Sequence, residues 1–153
     1  SYYREYYEEK GMFENEVYPG IKQLLRDLTK QGVLCLVATS KPEIYAKKIL
    51  DYYELSNYFY YIAGANMDGT RTDKAEVIAY ALKQIPAEYS NKKVLMVGDR
   101  SHDIIGAKKN GIDCAGVLFG YGSSEELEEA GADFVADSVE AVRNIILLDT
   151  AMN

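Results

Sequence analysis

Residues 94–103, Val-Leu-Met-Val-Gly-Asp-Arg-Ser-His-Asp, constrain the fold more than any other stretch. An apolar run, Val94 to Val97, ends abruptly in Gly98-Asp99, and a second acid, Asp103, follows four residues later. A short continuous apolar run of this kind predicts a strand buried on both faces, which requires helices above and below it. The strand delivers one carboxylate at its tip, and the next carboxylate sits one turn into the helix that follows. Two anionic oxygens converging at the carboxyl end of a buried strand are a seat for a hard divalent cation such as Mg2+.

The rest of the chain alternates in the same way. Apolar or β-branched runs predict strands at residues 33–38, 58–63, 93–97, 113–118 and 134–136. Between them, helices are predicted at 21–30, 42–53, 73–84, 101–110, 123–130 and 139–147. Ile21, Leu24, Leu25 and Leu28 recur at helical spacing, and Gly111 is placed to cap the helix over 101–110. Ser40-Lys-Pro-Glu43 and Ser123 with Glu126 both spell capping boxes. Residues 2–10 predict a further helix, 11–20 a linker and 64–72 a turn-rich stretch. Strands alternating with helices imply an α/β architecture, a doubly wound and mostly parallel sheet with helices on both faces.

The bulk properties narrow the function classes. At 153 residues the chain is one domain, and no apolar run approaches the ~20 residues of a membrane span. A formal charge of -7 argues against a nucleic-acid backbone as partner, yet leaves room for a small phosphorylated ligand in one local cationic pocket. The first ten residues are polar and tyrosine-rich, unlike a secretory signal. Cys35 and Cys114 lie in strand-like runs and read as small buried hydrophobes in a reducing cytoplasm. The chain opens on Ser1 inside a helical pattern, as expected of a domain cropped from a longer polypeptide.

In a doubly wound sheet, ligands gather at the carboxyl ends of the strands. The residues there are Thr39 and Ser40, then 66–72, then Asp99 to Asp103, then 120–122. Thr39 and Ser40 offer hydroxyls and free N–H groups at a helix start, an anion site, although Ser40 also reads as a simple cap. Lys74 is a cation in a helix's first turn, poorly placed against the helix dipole, so a phosphate or a carboxylate should compensate it. Asp99 and Asp103 read as metal ligands, against the alternative of a cap and an exposed helix residue. His102, the one histidine, reads as a local hydrogen-bonding residue before a general acid or base.

A hydroxyl after a strand, then a lysine, then Gly-Asp-x-x-x-Asp, in that order and spacing, resembles the haloacid dehalogenase superfamily of phosphohydrolases. The match runs from Tyr2 to about Val142. Ala-Thr-Ser-Lys-Pro, Met-Val-Gly-Asp-Arg-Ser-His-Asp and Gly-Tyr-Gly-Ser-Ser-Glu-Glu-Leu are similar to its phosphoglycolate-phosphatase-like branch. The resemblance implies a Rossmann-like core and an Mg2+-dependent phosphomonoester hydrolase of small phosphorylated metabolites. By the same resemblance, Thr39 and Ser40 hold the phosphoryl group, Lys74 steadies nucleophile and phosphate, and Asp99 and Asp103 hold Mg2+. A sugar-phosphate mutase shares the core and is the alternative within the superfamily; a non-catalytic phosphate- or partner-binding module is the alternative outside it.

The superfamily's first motif, Asp-x-Asp-x-Thr, which carries the nucleophile, does not occur in these 153 residues. Asn66-Met-Asp-Gly-Thr70 is a poor substitute, because an amide stands where the nucleophile should and the order is wrong; Asp68-Gly69 reads as a turn. The resemblance therefore places residues 1–18 as a residual cap helix and linker and 19–153 as the core without its first strand. In the superfamily that strand lies between those ending at Thr39 and Asp99, so its place should be closed up, or filled by an upstream segment or another chain. The 153 residues alone are expected to be inactive.

Overall fold

The computed structural model describes residues 20–120 and 122–152. The helix expected over 2–10 and its linker lie outside the described residues. Six helices and five strands alternate from there on, as the periodicity predicts. Helix α1 (Ile21–Lys30) buries Ile21, Leu24, Leu25 and Leu28, the four residues of its apolar stripe. Strand β1 (Leu36–Pro42) pairs in parallel with β2 (Tyr61–Ala65), with α2 (Glu43–Tyr52) between them in sequence. Helix α3 (Lys74–Lys83) leads to β3 (Leu95–Gly98), and α4 (Ser101–Lys109) to β4 (Asp113–Val117). Helix α5 (Ser124–Ala130), β5 (Phe134–Ala136) and α6 (Val139–Met152) complete the chain.

All described strand pairs are parallel, but they form two sheets, β1-β2 and β3-β4-β5. Helix α3 bridges them on one face: Val77 and Ala81 pack with Ala63, while Ile78 joins Met96, Ile104 and Cys114. Helices α1 and α6 bridge the other face, where Leu24, Leu28 and Val142 cluster with Val117 and against Val97. Met96 and Val97 thus serve opposite faces, as the period of two demands.

Between the facing edges of β1 and β3 lies an apolar cleft of about 430 Å³. Its side walls are the residues of and just before the two strands, Leu34 to Ala38 and Val94 to Val97; Leu25, Ile78 and Val142 are among the helix residues above and below. The two edges have not closed up.

Several boundaries differ from the sequence expectation. β1 starts later and runs through Pro42, so the Ser40–Glu43 capping box does not form and α2 has no side-chain cap. Proline disfavours a helical conformation in the residue before it, which keeps Lys41 extended and in the strand. Glu43 turns sideways instead: its carboxylate accepts from Gly64 N (3.2 Å) and lies 3.7 Å from both Lys47 Nζ and Arg71 Nη2. β2 begins at Tyr61 rather than 58, because Ser56–Tyr58 forms a 3₁₀ turn.

The stretch 64–72 is tied down by Arg71. Its Nε donates to Gly64 O (2.9 Å), and its guanidinium stacks 3.7 Å from the centre of the Tyr80 ring. Arg71 adopts a positive φ of 55°, an uncommon conformation for a side chain of this size, held by those contacts. Asp68-Gly69 is the expected turn, with Asp68 Oδ1 accepting from Thr70 N (3.0 Å) and Thr70 Oγ1 (2.7 Å).

Candidate active site

Thr39, midway along β1, is buried and its Oγ1 accepts from Lys41 N (3.2 Å). Ser40 follows it within the same strand. Helix α3 starts on Asp73, whose side chain caps Ala75 N (3.1 Å). Lys74, the first residue of α3, is 4% exposed, and its Nζ lies 2.7 Å from Asp103 Oδ1. The compensating group that the dipole argument requires is therefore a carboxylate from the neighbouring helix.

Asp99 and Asp103 are both fully buried. Neither alternative reading survives: Arg100, not Asp99, occupies the N-cap position of α4, and Asp103 faces inward. Asp103 Oδ2 accepts from Asp99 N (3.1 Å) and Arg100 N (3.2 Å), while Oδ1 faces Lys74. Burial pushes the Asp103 carboxyl up, the Lys74 ammonium beside it pulls the other way, and the carboxyl lies below its ordinary range.

Ser40, Thr72, Lys74, His102 and Lys109 line one cleft of about 320 Å³. Through it the carboxyl half of β1 meets the starts of α3 and α4, and through the Lys74–Asp103 pair it meets the β3 tip. Ser40, Lys74, Asp103 and Asp99 are thus linked in turn by shared cleft, ion pair and hydrogen bond, and Thr39 is the chain neighbour of Ser40. His102 stands at the rim, 39% exposed at its side chain, with Nε2 3.9 Å from Asp103 Oδ1.

The family profile "Haloacid dehalogenase-like hydrolase" matches residues 1–117. The chain belongs to the haloacid dehalogenase-like hydrolases. It is 38% identical over 148 residues to the 5'-nucleotidase of Pseudomonas aeruginosa, covering 95% of this chain and 65% of the relative. It is 38% identical over 146 residues to the tyrosine-protein kinase PtkA of Mycobacterium tuberculosis, covering 94% and 50%. To the phosphoglycolate phosphatase of Vibrio cholerae it is 26% identical over 144 residues, covering 94% and 63%. The solved structure of a "predicted phosphatase" from Clostridium acetobutylicum superposes with a TM-score of 0.82 at 44% identity, covering 95% of this chain and 67% of that one. The chain thus spans about half to two-thirds of the length of these curated relatives.

Members of this family generally use Mg2+, and the donor set suits it. Hard oxygen ligands are what Mg2+ takes, commonly one or two carboxylates completed by water and substrate phosphate. No cluster of three or more His, Cys, Asp or Glu that could hold a metal ion exists among the described residues, and Asp99 and Asp103 together would offer two carboxylates to such an ion. Asp103 engages both of its oxygens, with the Asp99 and Arg100 N–H groups on Oδ2 and Lys74 on Oδ1.

Two features of the site go beyond the sequence reading, which placed 120–122 at the ligand end of the sheet but named no partner for it. The first is the packing of the 120–122 loop on Asp99. A Cβ at Gly120 would sit 2.4 Å from Asp99 Cβ, and one at Gly122 only 2.1 Å from Asp99 O. Only glycine allows that approach. Gly122→Ala is expected to cost about 1–3 kcal/mol through overpacking and to displace Asp99; denaturant unfolding together with a crystal structure of the variant checks both. The second is Glu126. Ser123 caps α5 as expected, accepting from Glu126 N (3.1 Å), but the Glu126 carboxylate points away from its own helix to Ser101 N (2.7 Å) and Arg100 Nε (3.0 Å). The Ser-x-x-Glu spelling signals a cap, and only the tertiary contact shows the second use.

Proposed function

We propose that the chain is the phosphate- and metal-binding part of an Mg2+-dependent phosphomonoesterase that acts on small phosphorylated metabolites, of the phosphoglycolate-phosphatase-like branch. The observation that carries the reading is the buried Lys74–Asp103 pair, which joins the starts of α3 and α4 beside Asp99 and opens into the cleft shared with Ser40. A purely structural domain has little reason to hold two carboxylates and an ammonium out of water at the loop end of its sheets.

In this reading Thr39 and Ser40 hold the phosphoryl oxygens by hydroxyl and backbone N–H, and Lys74 offsets their charge. Asp99 holds Mg2+ directly, and Asp103 supports it while fixing Lys74 and the Asp99 backbone. The ion, when bound, neutralises charge that develops on the transferring phosphoryl group. The carboxylate nucleophile, absent from these 153 residues as an Asp-x-Asp-x-Thr motif, belongs to a strand seated in the cleft between β1 and β3, in an upstream segment or another chain. The isolated 153 residues are then inactive. The net charge of -7 argues against nucleic acid as substrate, and no helix among the described residues is long and apolar enough to cross a membrane. Burial raises the Cys35 thiol to about 11 and pushes Cys114 up as well, so both stay protonated at neutral pH.

The test is release of inorganic phosphate from a panel of phosphomonoesters by the natural gene product that contains this chain. Turnover is expected to require Mg2+ and to fall about 10²-fold or more with Asp99→Asn. Turnover indifferent to both chelator and Asp99→Asn would overturn the assignment.

A further inference from the structure

We propose that Glu126 is a positioning residue for Asp99, fixing from α5 the backbone turn that carries the Asp99 carboxylate. The inference rests on the reading of Asp99 as the Mg2+ ligand and adds to it the residue that holds that ligand in place.

The turn between β3 and α4 presents three successive backbone N–H groups, those of Asp99, Arg100 and Ser101. Asp103 Oδ2 accepts the first two, at 3.1 and 3.2 Å. Glu126 Oε2 accepts the third at 2.7 Å, and the same oxygen accepts from Arg100 Nε at 3.0 Å. The Ser101 N–H is among the first of α4 and has no intrahelical carbonyl to meet, so it needs an outside acceptor. Asp103 is four residues from Asp99 and holds the turn from within its own helix. Glu126 comes from another element and holds it from outside.

Glu126 is itself well placed to act as a fixed point. Ser123 Oγ anchors its backbone N–H, and the next residue, Leu127, is fully buried against Cys114 and Ile104. The segment that leads from β4 into α5 is the one whose Gly120 and Gly122 lie against Asp99. One stretch of chain therefore touches Asp99 twice, directly through the glycines and indirectly through Glu126, Ser101 and Arg100. Groups that orient a metal ligand in this way are commonly worth 10–100-fold in metal affinity. The Ser101 bond further lowers the Glu126 carboxyl below its ordinary range, so the acceptor is anionic at neutral pH.

The experiment follows the backbone amides of Asp99, Arg100, Ser101 and Gly120 by NMR during an Mg2+ titration of the 153-residue chain. The variants are Glu126→Ala, Glu126→Asp, Glu126→Gln and, on the exposed side of α5, Glu129→Ala as control. Glu126→Ala and the shortened Glu126→Asp are expected to shift the Ser101 amide upfield, to speed its exchange about tenfold or more, and to weaken Mg2+ binding about tenfold. Glu126→Gln keeps an acceptor oxygen at the same reach and is expected to retain the Ser101 signature and most of the affinity. Glu129→Ala should match the wild type. A wild type that responds to Mg2+ at Asp99, with Glu126→Asp and Glu126→Ala within twofold of it, overturns this proposal alone. A wild type with no saturable Mg2+ response overturns the reading of Asp99 as ligand, and with it the metal half of the present proposal.

Discussion

Asp103→Ala is expected to destabilise the fold by about 3–5 kcal/mol, the cost typical of removing one partner from a buried ion pair. Lys74 would keep its ammonium in a place that is almost inaccessible to water, with its 2.7 Å partner gone. Asp99 N and Arg100 N would lose their common acceptor in the same step. Lys74→Met should cost less, because Asp103 would keep two backbone donors and Met fills most of the vacated volume. The double variant Lys74→Met, Asp103→Ala should cost clearly less than the sum of the two, since the orphaned ammonium is then absent. Urea unfolding of all four proteins measures the cycle, and an Asp103→Ala penalty under about 1 kcal/mol would contradict the pairing.

Ionisation of Asp103 also sets an acid limit. The carboxyl of Asp103 is depressed in the folded state, so its contribution to stability is fully present above the unfolded value of about 4. That contribution is lost only as the pH falls from there toward the depressed folded value. The difference in stability between wild type and Asp103→Asn should accordingly be flat from neutral pH to about 5 and shrink only in stronger acid.

Much of this molecule was legible in its sequence because local pattern and tertiary role agree there. The apolar stripe of α1, the run before Gly98-Asp99 and the Asp68-Gly69 turn are each buried, pleated or bent for the reason their spelling suggests. The sequence also posed the right question about Lys74, a cation at a helix start, without supplying the answer; Asp103 lies on another helix, and spacing along one chain does not reveal pairing between elements. Ser40 and Glu43 misled because Pro42 restricts the residue before it, an effect that outweighs a capping box worth about 1 kcal/mol. Glu126 was legible as a cap and not as a brace, since its partners lie 25 and 26 residues away. That the described strands form two sheets follows from the same limit: strand spelling states that an edge will be buried, and leaves open what stands against it.

The cleft between β1 and β3 yields the prediction with the largest effect on activity. A strand seated there would be bonded on both edges and covered by helices on both faces, so it should be parallel, about five or six residues long and almost wholly apolar. Five Val, Ile or Leu side chains buried in full would contribute about 8–15 kcal/mol, and the bonds to two edges about 1 kcal/mol each. Against this stand about 1–2 kcal/mol per ordered residue and, for a free peptide, a further 4–15 kcal/mol of association cost. The terms nearly cancel for a peptide added in solution and turn favourable once the strand is tethered, where effective concentrations reach about the millimolar range. A polypeptide carrying such a strand ahead of Ser1, ending in Asp-x-Asp-x-Thr, is therefore expected to slow amide exchange at Leu36 to Ala38 and Leu95 to Val97 at least about tenfold over the 153 residues alone. It should also gain Mg2+-dependent phosphate release by about 10³-fold or more, the scale on which a covalent nucleophile matters. Replacing the first Asp of the tethered strand by Asn should keep the exchange protection and abolish the turnover. Protection without turnover in the Asp form would refute the cradle at Thr39, Lys74 and Asp99, whereas turnover without protection would refute the cleft as the place where the nucleophile enters.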